Sequence, residues 1–361
     1  MAKGTILLTG GTGFIGPAIL IAALRDGYSL HIVARSMAKV DQLQTAPAIL
    51  ALGKALLSRC KYFVVPDFTV SGSLDEAANG ADFVIHCAAS LPFTNIPPEK
   101  YEEEIITPSI VNVVSALESA RRAGTVKRFV SLSSLGAFVA PELLSGPYIP
   151  PTELVINEAS LNEEFQPPYS TILTAYCAGK TAALRRSLEW MREAKKGVHG
   201  LGFDLVNLAP TFIFGRHVLA RKPEDLLATS NAMLLRSVTG NTTSDVLEFG
   251  GGYHLDDIVE AHLKALDKDL VSTPTEGPNR SIETFTFGIT VKWQDLNEMV
   301  STKWPSEVKK GVLLNNGRFI TKPNLHMDMS KVETRLGIKS KSLEVMLREV
   351  VNQYLELSDI K

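Results

Sequence analysis

The feature that most constrains this chain lies near its start, in "TILLTGGTGFIGPAILIAALRDGY", Thr5 to Tyr28. Residues 5–9 form a short apolar run of the kind that builds a strand buried on both faces. From Pro17 the apolar spacing becomes helical, with Ile19, Leu20, Ala23 and Leu24 on one face and Gly27 at the end. The glycines between therefore sit at a strand-to-helix turn. They read as GxxGxxG through Gly10, Gly13 and Gly16, and as GxGxxG through Gly11, Gly13 and Gly16. Such a turn lets backbone approach a pyrophosphate, and the helix that follows presents unpaired N–H groups to it. On its own the motif is weak, because glycines also make plain turns.

The next apolar run, "YSLHIVARS", bears on which nucleotide would fit. An acid at the end of the second strand accepts from a ribose 2′-OH, whereas an arginine pairs with a 2′-phosphate. About 20 residues past the glycines stands Arg35. Lys39 follows one helical turn later, and no Asp or Glu lies between Tyr28 and Val40. A guanidinium fork and an ammonium suit a phosphate. The expectation is NADPH, with Arg35 and Lys39 on its 2′-phosphate. The plainer reading is a solvated pair at a helix start.

Further strands are expected over Lys61–Thr69, Asp82–Ser90, Lys127–Ala137 and Phe203–Gly215, with helical patterns between, such as Ile105–Ala123. Alternation of this kind means an α/β fold, a Rossmann-type doubly wound parallel sheet with ligands at the strands' carboxyl ends. Asp67 ends the third strand, where a carboxylate could accept from an adenine amino group or close a turn. Ala88 and Ala89 end the fourth and would let the cofactor lie close. Ser133 and Ser134 end the fifth.

"TAYCAGKTAALRRSLEW" reads as a strong helix, on which Tyr176 and Lys180 share a face. With Ser134 they form a group suited to carbonyl chemistry. A phenol is a reluctant acid–base group at neutral pH, and a nearby ammonium is expected to lower its pKa. Tyr176 would pass a proton to the substrate oxygen, Ser134 would hold that oxygen, and Lys180 would also bind the cofactor ribose. Tyr-x-x-x-Lys spacing alone is weak; its weight comes from the glycine turn, Arg35 and the serine pair.

These motifs, with "PDF", "HCAAS", "RFVSLSS", "LAPTFIFG" and "GGYHLDDIVEAHLKAL", resemble the extended short-chain dehydrogenase/reductases. The likeness runs over nearly the whole chain. It is greatest to the NADPH-dependent aldehyde and ketone reductases of yeasts and fungi and to plant dihydroflavonol reductases. The resemblance implies a triad of Ser134, Tyr176 and Lys180, with Ser133 as the neighbour easily confused with Ser134. It adds Phe14, Ile15, Phe68, Pro210 and Thr211 as cofactor contacts. The implied activity is reversible NADPH-dependent reduction of an aldehyde or ketone. Two departures stand out: "NVVS" at Asn112–Ser115 replaces a Gly-Thr-x-Asn pattern, and Pro17 follows Gly16, although proline is tolerated in a first helical turn.

The cofactor domain is expected over residues 1–210, with returning segments near 253–266 and 282–300. A smaller substrate lobe is expected over 211–252 and 301–361. Candidate substrate-lining residues are Leu91, Pro92, Phe93, Leu135, Phe138, Phe212 and Phe214, a set suited to an apolar or aromatic carbonyl compound, although for any single one a place in the core is the plainer reading. The Pro- and acid-rich segment 140–165 is expected on the substrate side. A net charge of −2 gives no field for nucleic acid or membrane. No apolar run has the length of a membrane span. Three scattered cysteines give neither a disulfide framework nor a metal knuckle, so a cytoplasmic protein without a bound metal is expected. Two other enzymes share such a fold: a nucleotide-sugar epimerase or dehydratase, which Arg35 disfavours, and a 3β-hydroxysteroid-type dehydrogenase. A non-catalytic NADP sensor would lack the Tyr/Lys pair. The sequence leaves the oligomeric state and the physiological substrate open.

Overall fold

A computed structural model describes residues 3–88, 96–196, 201–240 and 243–358. Seven strands form one parallel sheet: β1 (Thr5–Thr9), β2 (Ser29–Ala34), β3 (Cys60–Val64), β4 (Phe83–His86), β5 (Arg128–Leu132), β6 (Asp204–Pro210) and β7 (Ile282–Phe287). Their spatial order is β7-β6-β5-β4-β1-β2-β3. The order reverses between β1 and β4, which places a crevice there, at the turn carrying the glycines. Thr5 to Thr9 pair with Ser29 to Val33 on one side, and Ile6 to Thr9 with Phe83 to His86 on the other.

Strand pleating sends alternate residues to opposite faces. Ile6, Leu8, Leu30 and Ile32 enter one buried cluster, and Leu7 and Val33 enter another across the sheet. On the first face lie α1 (Gly16–Arg25), through Ile19, Leu20, Ala23 and Leu24, and the returning helix at Leu255–Lys264, through Ile258, Val259 and Ala261. The second face is covered by α3 (Thr107–Ala123), through Val113, Ala116, Leu117 and Ala120, and by the far end of α4 (Ile172–Ala194), through Trp190 and Met191. α2 (Met37–Gln44) follows β2 and adds Leu43 to the first cluster.

Several boundaries differ from expectation. β3 stops at Val64, β4 at His86 and β5 at Leu132, because the chain turns away from the sheet to build the cleft rim. Leu135–Ala137 is a 3-10 turn capped by Ser134, whose Oγ accepts from the Gly136 N–H at 3.1 Å. α3 is preceded by a π-helical turn at Glu102–Ile106.

Packing ties together segments far apart in the chain. Trp293, Leu296 and Val300 join Leu234, Val238, Phe319 and Val350 in a separate lobe core. Val332, Leu336 and Ile338 pack instead against the sheet-side cluster of Ile6 and Leu8. The lobe carries α5 (Ala232–Thr239), strands Thr243–Glu248 and Gly251–His254, and the C-terminal helix Leu343–Leu357. Segment 140–165 is anchored to it, with Leu154–Ile156 pairing in parallel with Leu325–Met327. Among the described residues no helix is long and apolar enough to cross a membrane.

Candidate active site

A cleft of about 950 Å³ opens at the carboxyl ends of the strands and continues under the lobe. That is within the usual size for a cofactor and small-molecule site. Six of the seven strand ends contribute to the wall: Gly10, Gly13, Phe14, Ile15 and Gly16 after β1, Arg35 and Lys39 after β2, and Phe68 after β3. Ala88 follows β4, Ser133 and Ser134 follow β5, and Pro210 and Thr211 close β6. Tyr176 and Lys180 enter from α4.

The glycine turn is as tight as its sequence demands. Gly10 holds φ +72°, and a Cβ there would lie 2.7 Å from the Cys87 carbonyl carbon. At Gly16 a Cβ would lie 2.2 Å from the Gly10 carbonyl oxygen, so only glycine lets α1 begin against the turn. Ile15 precedes the helix without a side-chain cap, and Pro17 sits at its first positions. Pro17 has no N–H, and Ala18 and Ile19 donate to the Ile15 carbonyl at 3.1 Å, so the N–H groups left to a pyrophosphate are those of the turn up to Gly16. Beyond β2 the exposed Arg35 and Lys39 place two cations on the rim. The turn, the bare helix start and the two cations together fit a phosphorylated dinucleotide.

At the other end Tyr176 Oη donates to Ser134 Oγ at 3.0 Å. Ser134 thus accepts from both Tyr176 and Gly136, which leaves its own O–H to donate into the cleft. Ser133 also lines the cleft, but the hydroxyl that meets Tyr176 is that of Ser134. Lys180 Nζ lies 5.8 Å from the Tyr176 ring centre. Burial sets the electrostatics here. It pushes the Tyr176 phenol up to about 12, against the lowering effect of the Ser134 hydrogen bond. It pulls Lys180 down to about 8. The expected lowering of Tyr176 by the ammonium is therefore not what the folded chain shows, because desolvation of the phenolate dominates. Behind Lys180 a small cavity of about 30 Å³ is walled by His86, Asn112, Ser131 and Asn207. His86 is held neutral, down to about 4, by burial and by Lys180, with Nδ1 2.9 Å from Thr9 Oγ1.

Three expected residues fall elsewhere. Asp67 is not in the cleft wall; its Oδ1 accepts from the N–H and hydroxyl of Thr69, at 2.8 and 2.6 Å, and closes a turn. That bonding holds its carboxyl below the usual range. Phe138 and Phe214 are core, at 4% and 0% exposure, whereas Leu135 and Phe212 do line the cleft. Ala89, Leu91, Pro92 and Phe93 lie outside the described residues. Sequence reasoning missed Leu144, Leu173, Met233, Arg236, Glu248 and Phe249, which wall the far end. The placing of segment 140–165 on the substrate side points toward Leu144, and the lobe expected over 211–252 toward Met233, Arg236, Glu248 and Phe249, but neither singles these residues out.

Residues 6–275 match the family model described as the NAD dependent epimerase/dehydratase family. The chain belongs to that family. It is accordingly an oxidoreductase of the extended short-chain dehydrogenase/reductase type, with a nicotinamide dinucleotide as its cofactor. Among its relatives is Ketoreductase CTB6 of Cercospora nicotianae, 32% identical over 364 residues, covering 99% of this chain and 97% of that protein. Ketoreductase sphI of Aspergillus fumigatus is 29% identical over 364 residues and covers the whole of both chains. The solved structure of the yeast methylglyoxal/isovaleraldehyde reductase Gre2 with NADPH superposes at a TM-score of 0.76. It is 20% identical and covers 99% of this chain and 100% of its own. That likeness bears on the fold.

Proposed function

We propose that the protein reduces an aldehyde or ketone to an alcohol with NADPH, and that Tyr176 is the proton donor. The observation that carries this reading is one cleft with a glycine turn and two cations at one end and the Tyr176–Ser134 hydrogen bond at the other. Gly10–Gly16, Arg35 and Lys39 would hold NADPH, which when bound would supply hydride chemistry to the carbonyl carbon. The remaining work belongs to the side chains. The free O–H of Ser134 donates to the carbonyl oxygen and fixes it beside Tyr176. Tyr176, protonated at neutral pH because burial holds its pKa up, passes its proton to that oxygen as negative charge builds there. Lys180, whose ammonium persists below about pH 8, stabilises the phenolate left behind. The apolar wall of Leu144, Leu173, Phe212, Met233 and Phe249 suits an apolar or aromatic carbonyl compound.

The relatives named ketoreductases support this reading, and the absence of an acid at the end of β2 argues for NADPH over NADH. The test is nucleotide consumption against a panel of aldehydes, aromatic ketones and keto esters, with NADPH and NADH in parallel. Turnover with NADPH preferred is expected. Silence across the panel, or protein that purifies with stoichiometric, tightly held NAD, would overturn the proposal in favour of an epimerase-type reaction.

A further inference from the structure

The far end of the cleft is walled mainly by apolar side chains, with the polar Ser145 among them, and it carries charge at one place. Arg236 on α5 and Glu248 at the end of strand Thr243–Glu248 face each other there, and among the described residues they are the two charged side chains in that part of the wall. The guanidinium meets the carboxylate side by side: Nη1 donates to Oε1 at 3.0 Å and Nη2 to Oε2. Its Cζ sits 3.6 Å over the Phe319 ring, so the fork is clamped from behind.

Glu248 is pinned as firmly. Its carbonyl accepts from the Lys322 N–H at 2.7 Å. Its chain neighbours are stitched to segment 140–148, Gly146 N–H to the Leu247 carbonyl at 3.0 Å and Phe249 N–H to the Leu144 carbonyl at 2.8 Å. Lys322, 2% exposed, holds the other side of that segment with its ammonium on the carbonyls of Glu142, Gly146 and Tyr148. The backbone of Glu248 is thus fixed, and its carboxylate is held by the two bonds from Arg236.

A half-buried ion pair in an apolar wall gains little stability over apolar residues of the same size. Its use lies in what it offers a ligand. The two charges cancel, so this part of the wall does not attract an anion, and a ligand carboxylate would have to displace Glu248. A carboxylate has about four lone-pair sites, and the guanidinium takes two. What remains is a fixed, strong acceptor in a place with little water.

We infer that Glu248 accepts a hydrogen bond from a neutral hydroxyl of the substrate, remote from its reacting carbonyl. This inference rests on the reductase reading and narrows it: the substrate class is an apolar or aromatic ketone or aldehyde that carries an alcohol or phenol at its far end. Carboxylated and fully apolar analogues are poorer substrates. A site built around such a partner rejects an analogue that lacks it, because its own polar group is then buried without a mate.

The test compares positional series of hydroxyaryl ketones, their O-methyl ethers and the matching carboxylates, with wild type and Glu248→Gln. Wild type should show kcat/KM for one hydroxylated isomer roughly 10- to 100-fold above its ether. In Glu248→Gln that ratio should collapse to within a few-fold of one. NADPH affinity, read by fluorescence titration, should be unchanged and reports that the variant is folded. Equal wild-type rates on hydroxylated and etherified ketones, a preference for the carboxylates, or an equal loss on both series in Glu248→Gln would overturn the inference and leave the reductase reading standing. No NADPH-dependent turnover of any series by wild type would overturn both.

Discussion

The two ends of the cleft are built by different means. The nucleotide end is made mostly of backbone, with the side chains of Arg35 and Lys39 on its rim: a turn at the tip of β1, where Gly10 and Gly16 bring chain against chain at the start of an uncapped helix. The substrate end is made of side chains brought from segments far apart in sequence, with Leu144, Phe212, Arg236, Glu248 and Phe249 in its wall and Lys322 behind it. A backbone site tolerates almost no change at a few positions and is indifferent to change elsewhere. A side-chain site can be altered by degrees. The first end is therefore suited to a cofactor common to many enzymes, and the second to a substrate of its own.

The largest expected break in that contrast is at the turn. Gly16→Ala would force the Gly10 carbonyl and α1 apart, a strain on the order of 1–3 kcal/mol. If all of it falls on the bound form, NADPH affinity drops by up to about 100-fold. Titration of nucleotide fluorescence measures this, and affinity within a factor of two of wild type would show that the turn does not carry the pyrophosphate. Arg35→Ala should be milder and selective. It removes one exposed charge-assisted contact, so NADPH should bind about 10-fold more weakly while NADH is unaffected. An equal loss for both nucleotides would place Arg35 away from the 2′-phosphate.

At the substrate end the corresponding change is Lys322→Met. It leaves three carbonyls of segment 142–148 without their ammonium, which should cost roughly 1–3 kcal/mol in thermal or urea unfolding. KM for the carbonyl substrate should rise, with NADPH affinity unchanged. A parallel loss of NADPH binding would mean that the two ends are not separable.

The smallest effect is on pH dependence. With the Tyr176 phenol pushed up to about 12, the protonated form needed for reduction is complete at neutral pH. The phenolate needed for alcohol oxidation gains about tenfold per pH unit. Between about pH 6 and 8, reduction should be nearly flat while oxidation climbs. Above about 8 Lys180 loses its proton, which raises Tyr176 further and shallows the climb. Initial rates in both directions test this. A reduction rate that falls tenfold per pH unit from pH 6, with oxidation flat, would mean a Tyr176 pKa far below the one burial sets.

The same contrast explains what the sequence disclosed. The sheet, the turn, Arg35, the serine pair and the Tyr176–Lys180 face were legible because each is a local pattern at a strand end or on one helix, and the fold gathers strand ends in one place. For Asp67 the structure shows the turn-closing role of the two readings the sequence leaves open, because a strand-end carboxylate and a turn-closing one look alike; Thr69 two residues on is the available sign of the turn. Phe138 and Phe214 are core and Phe212 lines the cleft, a division the sequence leaves open because an aromatic beside a site has the same composition as one beneath it. Arg236, Glu248 and Lys322 carry no local signal at all: their partners lie 12 residues away in one case and more than 170 in the other, and only tertiary structure brings them together. The effect of burial on Tyr176 was invisible for the same reason, since spacing reveals the lysine but not the solvent the phenol has lost.

The most direct test is Tyr176→Phe, with NADPH affinity and single-turnover carbonyl reduction measured on the same preparation. The variant keeps the ring and loses only the proton donor. The expected result is NADPH binding as in wild type and a reduction rate lower by about 100- to 10,000-fold. Turnover within a few-fold of wild type would contradict the assignment of Tyr176 as the proton donor.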